Sequence, residues 1–348
     1  MNLYTSDTYI KDLNTAIKES VGIEKIKDKT ILITGATGTI GSFLVDMLLE
    51  YNKLNANINV IAAGRSLKRL QDRFDMIKSN KLQYLVYDIL EPIQFNFSVD
   101  YIIHAAGNAH PLAFNNDPVG TIIGNINGTY NILEYARLHN TKRVCYISSG
   151  EVYGLGDINL NSFSEDYSGY LDPISARSCY PSSKRTAETL CASYTKQYGL
   201  ETVIVRPCHT YGPGMTSSDS RAHVQFIRNV LNDENIILKS SGSQIRSYCY
   251  IADCASAIMT CLSLGESGQA YNSANPNAII TIAGLAEIIA KCAGKKVIFK
   301  TPDAVDIANQ TPIIKQVLDS KKLEHLGWKG FYSIEKGIRN TLSILNGN

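Results

Sequence analysis

Two short stretches hold residue types that could do chemistry together. In Tyr180-Pro181-Ser182-Ser183-Lys184 a phenol and an amine stand four residues apart. On a helix, positions i and i+4 share one face, so Tyr180 and Lys184 can point at the same place. A free phenol has a pKa of about 10, and a nearby cation favours its ionised form. Lys184 would supply that field, and Tyr180 then becomes a base able to take a proton from an alcohol. An ordinary helix-surface pair is the alternative. The second stretch is Ser148-Ser149-Gly150-Glu151-Val152-Tyr153-Gly154, directly after the apolar run Arg143-Val144-Cys145-Tyr146-Ile147. Hydroxyls and a carboxylate at the carboxyl end of a parallel strand lie where such sheets bind their ligands. A Ser/Gly turn leaving a strand is the competing reading.

The elements that must position these groups are organised around Thr30-Ile31-Leu32-Ile33-Thr34-Gly35-Ala36-Thr37-Gly38-Thr39-Ile40-Gly41. An apolar run ends at Thr34, three glycines come next at three-residue spacing, and a helical pattern begins at once. Strand, tight turn and helix in this order lay a dinucleotide pyrophosphate on main-chain N–H groups at a helix N-terminus. Gly35 makes the turn, Gly38 admits the phosphates and Gly41 lets the helix pack. Further strands are predicted at residues 59–63, 82–87, 100–104, 143–147 and 202–206, with helical stretches between them. Short apolar runs separated by helices mean a parallel sheet with right-handed crossovers. The fold class is therefore α/β, a doubly wound parallel (Rossmann) sheet with a smaller C-terminal substrate-binding subdomain. Residues 1–27 form an N-terminal helical extension, with Ser6 or Thr8 as cap and Tyr9, Ile10, Leu13, Ala16 and Ile17 on one face. Residues 28–209 and 248–275 form the dinucleotide-binding domain, and 210–247 with 276–348 the substrate-binding subdomain. Beyond Pro207, Gly212-Pro213-Gly214 and Thr216, Ser217, Ser218 and Ser220 read as a loop over the carboxyl edge of the sheet. Later, Asp253 is expected to cap a helix ending at Leu264, Thr281 to cap one over 282–293, and Leu323–Gly327 to be helical.

The totals narrow the function classes. The chain has 348 residues and a formal net charge of +2, which gives no reason to expect nucleic acid or a membrane as partner. No apolar run approaches the roughly 18 residues that span a bilayer. Eight cysteines occur without a C-x-x-C pair, so they read as small core residues in a reducing compartment, and no metal site is assigned. Asp7, Asp12 and Glu19 interrupt the N-terminus, which excludes a signal peptide and leaves the cytoplasm as the expected compartment.

Glycine turn, strand-end serine and Tyr-x-x-x-Lys in this order resemble the extended short-chain dehydrogenase/reductase group, the NAD-dependent epimerase/dehydratase enzymes of nucleotide sugars. The resemblance runs from about residue 28 to the C-terminus. It extends to Asp88-Ile89, which in the family hold the adenine, and to His104-Ala105-Ala106-Gly107 beside the cofactor. Asn125-Ile126-Asn127-Gly128-Thr129 matches the N-x-x-G-T helix, and Arg206-Pro207 with Tyr211-Gly212-Pro213 the exit of the sixth strand. Within the family the likeness is to the UDP-glucuronate decarboxylases. Arg177-Ser178-Cys179-Tyr180, Lys184-Arg185 and Ala187-Glu188-Thr189 are similar to their catalytic helix, and Gly242-Ser243-Gln244-Ile245-Arg246 to a stretch ending in a substrate-binding arginine. Glu151 matches their glutamate two positions after the catalytic Ser/Thr. The 4,6-dehydratases place an Asp-Glu pair where this chain has Gly150-Glu151. The chain departs from the pattern at His209, where the family has Asn, at Gly214, where the decarboxylases have Arg, and at Gly64-Arg65, where an acid would bond the ribose.

The resemblance implies an enzyme that transiently oxidises C4 of a nucleoside-diphosphate sugar. Its catalytic residues are Ser149, Glu151, Tyr180 and Lys184. Cofactor contacts fall to Gly35, Gly38, Thr39, Ile40, Gly41, Arg65, Asp88, Ile89, Ala105, Ala106, Asn125 and Pro207, together with Tyr180 and Lys184. Substrate contacts fall to Ser149, His209, Arg221 and Arg246. The cofactor is NAD(P), with NADP favoured because Gly64 and Arg65 replace the repelling acid. A 4-epimerase, a 4,6-dehydratase and a 4-keto reductase are the alternative reactions, and a catalytically silent dinucleotide- or nucleotide-sugar-binding protein is the alternative class. A homodimer is expected through helices over 119–138 and 184–198, with Ile122, Ile126, Leu133, Ala187 and Leu190 as apolar positions.

Overall fold

The computed structural model describes residues 3–95, 97–107, 109, 111–216, 218–301 and 313–347. Helix α1 (Asp7–Lys18) precedes an alternation of strands and helices: β1 (Thr30–Thr34), α2 (Thr39–Asn52), β2 (Asn59–Gly64), α3 (Leu67–Phe74), β3 (Leu82–Val86) and β4 (Tyr101–His104). Then come α4 (Pro111–Asn116), α5 (Pro118–Leu138), β5 (Arg143–Ile147), α6 (Cys179–Tyr198) and β6 (Glu201–Pro207). Beyond β6 the chain leaves the main sheet through β7 (His209–Tyr211), α7 (Ala222–Leu231), β8 (Ile236–Leu238), β9 (Ile245–Tyr250) and α8 (Ile251–Leu264). It returns as β10 (Gln269–Ser273) and ends with β11 (Ile279–Thr281), α9 (Ile282–Cys292), β12 (Val297–Phe299), β13 (Lys315–Gln316), α10 (Lys321–Glu324) and α11 (Ile334–Leu345).

The main sheet has seven parallel strands in the order β10-β6-β5-β4-β1-β2-β3. The order reverses at β1/β4, which opens a crevice at the carboxyl edge where a ligand can enter. Successive residues of each strand serve opposite faces. Ile31, Ile33, Ile103, Cys145, Val203 and Val205 pack with residues of α1, α2 and α8. Their alternates Leu32, Ile102, Val144, Tyr146 and Ile204 pack with Leu133 and Ala136 of α5 and Ala187 and Cys191 of α6. Burial on both faces explains why these strands read as continuous apolar runs. β11, β9, β13 and β7 form a second, smaller sheet, and β12 pairs with β8.

Helix α1 is fixed by two buried carboxylates. Asp12 accepts hydrogen bonds from Tyr250 (2.5 Å), Asn340 (2.8 Å) and Tyr332. Asp46 of α2 accepts from Tyr9 and from Arg73 of α3. The extension is thereby tied both to the helix after β2 and to the C-terminal helix.

Some local expectations change. Asp253 is not the cap of α8, which begins at Ile251 with Tyr250 as its N-cap residue. Its carboxylate instead accepts the main-chain N–H groups of Phe331 (2.9 Å) and Tyr332 (3.3 Å) and the amide of Asn275 (3.0 Å). Thr281 does cap α9, accepting from the Gly284 N–H at 3.0 Å. Helix α10 stops at Glu324, short of Gly327. Ser217 and residues 302–312 and 348, within stretches assigned from the sequence, lie outside the described residues. Among the described residues no helix is long and apolar enough to cross a membrane.

Candidate active site

The glycine turn is built by close approach. Gly35 has φ +67, and a Cβ there would meet the Ala105 carbonyl oxygen at 2.7 Å. A Cβ on Gly41 would fall 2.3 Å from the Gly35 carbonyl oxygen, so the first turn of α2 sits directly on the loop. Gly38 is the N-cap residue of α2, and its N–H donates to the Gly35 carbonyl at 3.0 Å. The opening N–H groups of a helix have no partner within it, so the head of α2 at Thr39, Ile40 and Gly41 is suited to an anion.

The exit of β4 closes this turn from the other side. Thr34 is hydrogen-bonded to His104 Nδ1 at 2.7 Å, and burial holds the His104 imidazolium down to about 3, so the ring is neutral. Ala105 and Ala106 then run past the turn to Gly107, where a Cβ would lie 2.8 Å from Asn125 Oδ1 and 3.9 Å from Lys184 Nζ. Asn125 in turn donates to Ser183 Oγ at 2.9 Å, which joins α5 to α6. Ile89 lies against Gly128 of α5 and its carbonyl accepts from Asn131 at 2.9 Å, while Asp88 accepts from Leu90 N–H at 3.1 Å. Arg65 is exposed at the end of β2, and Ser66 caps α3 behind it.

Ser149 leaves β5 as the cap of a 3-10 turn over Gly150–Tyr153 and accepts the Glu151 N–H at 3.2 Å. Tyr180 and Lys184 come from the first turns of α6. A cleft of about 100 Å³ gathers Ser149, Glu151, Tyr180, Pro207, His209 and Arg221 along its wall. Phe114 also lines it, stacked on the Tyr180 ring at 5.2 Å between centroids, and the Arg177 guanidinium lies 4.6 Å over Phe114. Burial pushes the Tyr180 phenol up to about 12; a hydrogen bond with Ser149 opposes this, Glu151 adds to it, and Arg221 and Arg177 pull it down.

Lys184 lies near the phenol but also has a partner on β5. Its ammonium donates to the Ile147 carbonyl at 2.8 Å, lies 4.7 Å over Tyr146 and is 5.9 Å from the Tyr180 ring centre. Arg221 and Arg177 also favour the phenolate. Lys184 is itself brought down to about 8 by burial, with Glu188 opposing.

Glu151 is ion-paired with Arg177 at 3.1 Å, and this pair borders a second cavity of about 250 Å³. Arg221 is held by Asp219 (2.5 Å), and the half-buried His209 is kept neutral by desolvation of its ring first and by Arg246 second. Arg246 is not brought to the cleft wall. Its guanidinium donates to the carbonyls of Ile245 (2.9 Å), Ile314 (3.1 Å) and Ile313 (2.5 Å). Three participants escaped the sequence. Phe114 and Gln316, which donates to the Gly150 carbonyl at 2.9 Å, carry no local signal because only tertiary packing brings them here. Arg177 stood inside a recognisable helix signature, but its pairing with Glu151 did not. Among the described residues no cluster of His, Cys, Asp or Glu could hold a metal ion.

A dinucleotide cradle at the switch point of a parallel sheet, with a serine and a tyrosine–lysine pair at its edge, defines a dinucleotide-dependent enzyme. The family model described as "NAD dependent epimerase/dehydratase family" matches residues 31–274. The chain is 34% identical over 313 residues to UDP-glucuronic acid decarboxylase 5 of Arabidopsis thaliana, covering 88% of this chain and 86% of that protein. Its fold is similar to that of DesIV, the dTDP-glucose 4,6-dehydratase of Streptomyces venezuelae (TM-score 0.77, 24% identity, covering 92% and 97% of the two chains). It is also similar to the UDP-N-acetylglucosamine 4-epimerase of Methanobrevibacter ruminantium (TM-score 0.78, 22% identity, covering 92% and 99%). The chain belongs to the NAD-dependent epimerase/dehydratase family, and it is an NAD-dependent enzyme that modifies nucleotide sugars.

Proposed function

We propose that this enzyme is a nucleotide-sugar decarboxylase acting on a UDP-glucuronate-like substrate. The observation that carries the reading is Glu151, ion-paired to Arg177 and set in one cleft with Ser149 and Tyr180. Its relatives named UDP-glucuronic acid decarboxylase support it. The cradle at Gly35–Gly41 fits a dinucleotide, because a Cβ at either end of it would fill the space the main chain needs. Bound there, the dinucleotide would accept the C4 hydride and later return it. Ser149 holds the 4-oxygen, and Tyr180 takes its proton. The resulting 4-keto sugar carries its carboxylate one carbon away, as a β-keto acid, and loses carbon dioxide. Glu151 assists that step or positions the proton donor for C5, and Tyr180 then returns its proton to O4. Lys184 holds the cofactor ribose, and His209 and Arg221, which line the cleft, serve the diphosphate side. Residues 28–209 with 248–275 are the dinucleotide-binding domain, and 210–247 with 276–348 the substrate-binding subdomain. A mass-spectrometric screen of nucleotide sugars tests the reaction: loss of carbon dioxide is expected, whereas loss of water or an unchanged mass assigns a dehydratase or an epimerase.

For the cofactor, NADP is proposed to bind at least as tightly as NAD. β2 ends at Gly64 without an acid to repel a 2′-phosphate, and Arg65, Lys68 and Arg69 are exposed there. A charge-assisted bond from Arg65 is worth roughly 1.5–3 kcal/mol, or about one to two decades in affinity. Calorimetry on cofactor-stripped protein should show Arg65→Ala weakening NADP by that factor and NAD little. NAD binding about tenfold tighter than NADP, with no effect of Arg65→Ala, defeats the proposal.

A homodimer through α5 and α6 is also proposed, with altered contacts. Leu133 and Ala187 are fully buried within the subunit and cannot reach a partner. Ile122, already among the expected positions, is exposed, and Val119, Ile123 and Tyr130 of α5 are exposed beside it. Sedimentation at micromolar concentration should give twice the 38.3 kDa chain mass, and a species of single-chain mass contradicts the interface.

A further inference from the structure

We propose that Glu188 is a positioning residue of this active site: from one helical turn behind Lys184 it keeps that lysine charged and fixes the strand end that carries Ser149. The inference rests on the use of Lys184 described above, but not on the identity of the sugar.

Glu188 is buried, and every oxygen of its carboxylate is engaged. Oε1 accepts from Ser148 Oγ at 2.5 Å and from Arg206 Nε at 2.9 Å, and Oε2 accepts from Arg206 Nη2 at 2.7 Å. Ser148 is the residue directly before Ser149, so the carboxylate holds the exit of β5 in place. Arg206 continues the network by donating to Tyr153 Oη (3.0 Å) and to the Glu165 carbonyl (2.8 Å). Tyr153 donates to Asn272 of β10 at 2.7 Å. One carboxylate on α6 therefore ties together the carboxyl ends of β5, β6 and β10. A fully satisfied buried network of this kind fixes geometry that apolar packing leaves free.

The electrostatic role arises from burial. Lys184 is sealed under Tyr180, with neutral His104 from β4, Tyr146 from β5, Asn125 from α5 and Cys191 from its own helix around it. Glu188 is the carboxylate whose charge favours the ammonium in that shell, and the Arg206 cation stands beyond it. Removing the carboxylate leaves Arg206 facing the lysine, so the field changes sign. Removing Arg206 leaves Glu188 unneutralised, so the field grows.

The test needs neither cofactor nor substrate. Protein labelled with ¹³C at the lysine ε-carbons is titrated by NMR, with the Lys184 signal assigned by its loss in Lys184→Met. Glu188→Gln should lower the Lys184 midpoint by about one unit or more, a tenfold change in its protonation equilibrium. Arg206→Gln should raise it. An unchanged midpoint in either folded variant, or shifts of the same sign in both, overturns the proposal. Should Glu188→Gln fail to fold, the sign of the Arg206→Gln shift decides alone. Loss of decarboxylase activity in any screen leaves this titration untouched, so the two readings fail separately.

Discussion

Tyr180→Phe should fold, bind dinucleotide and lose about 10²- to 10⁴-fold in turnover, the usual cost of removing a general base. The ring that stacks on Phe114 is retained, so packing is preserved. Only the hydroxyl and its hydrogen bond with Ser149 are lost, a change of about 1 kcal/mol in stability. The phenol stands at about 12 in the free protein because it is buried. Arg177 and Arg221 oppose that burial but do not overcome it. A positive charge arriving with the oxidised nicotinamide completes the field. Turnover of the variant within threefold of wild type would remove Tyr180 from its assigned role.

Glu151→Gln should separate oxidation at C4 from the loss of carbon dioxide. The amide keeps the shape of the side chain but cannot hold the Arg177 ion pair, which is 3.1 Å long. Ser149 and Tyr180 remain in place, so oxidation at C4 proceeds. Carbon dioxide release or C5 protonation then slows by about 10²-fold or more, and a 4-keto sugar accumulates that borohydride trapping and mass spectrometry detect. Product release at the wild-type rate would make Glu151 a structural partner of Arg177 and withdraw the main support for decarboxylation.

The sheet was legible because a parallel strand buried on both faces is a continuous apolar run. Thr30–Thr34 and Arg143–Ile147 form strands with the bounds read from sequence, and the other strands of the main sheet read there differ by one residue at one or both ends. The glycine turn was legible for a different reason: Gly38 and Gly41 are needed by their close approach to Gly35 within the turn itself, although Gly35 also lies against the distant Ala105. The features that escaped depend on distant partners. Asp253 looks like a helix cap, but its carboxylate is claimed by main-chain groups 78 and 79 residues away. Arg246 looks like a phosphate ligand, and it donates to carbonyls 67 and 68 residues away. The i, i+4 rule brought Tyr180 and Lys184 onto one face, yet it could not say that Lys184 turns to the Ile147 carbonyl. Nor could it say that Arg177 and Arg221 add to the field at Tyr180. Helix periodicity likewise marked Leu133 and Ala187 as apolar without saying which side of α5 and α6 the sheet would take.

The most direct test of transient oxidation at C4 is to supply UDP-glucuronate deuterated at C4 and to characterise the product by mass spectrometry and NMR. Proton removal by Tyr180, with the C4 hydride lent to the dinucleotide and returned, predicts a UDP-pentose that has lost carbon dioxide and kept its deuterium at C4. A product that has lost carbon dioxide with the C4 label exchanged into water would contradict hydride return at C4, and a product that retains its carboxylate would contradict decarboxylation.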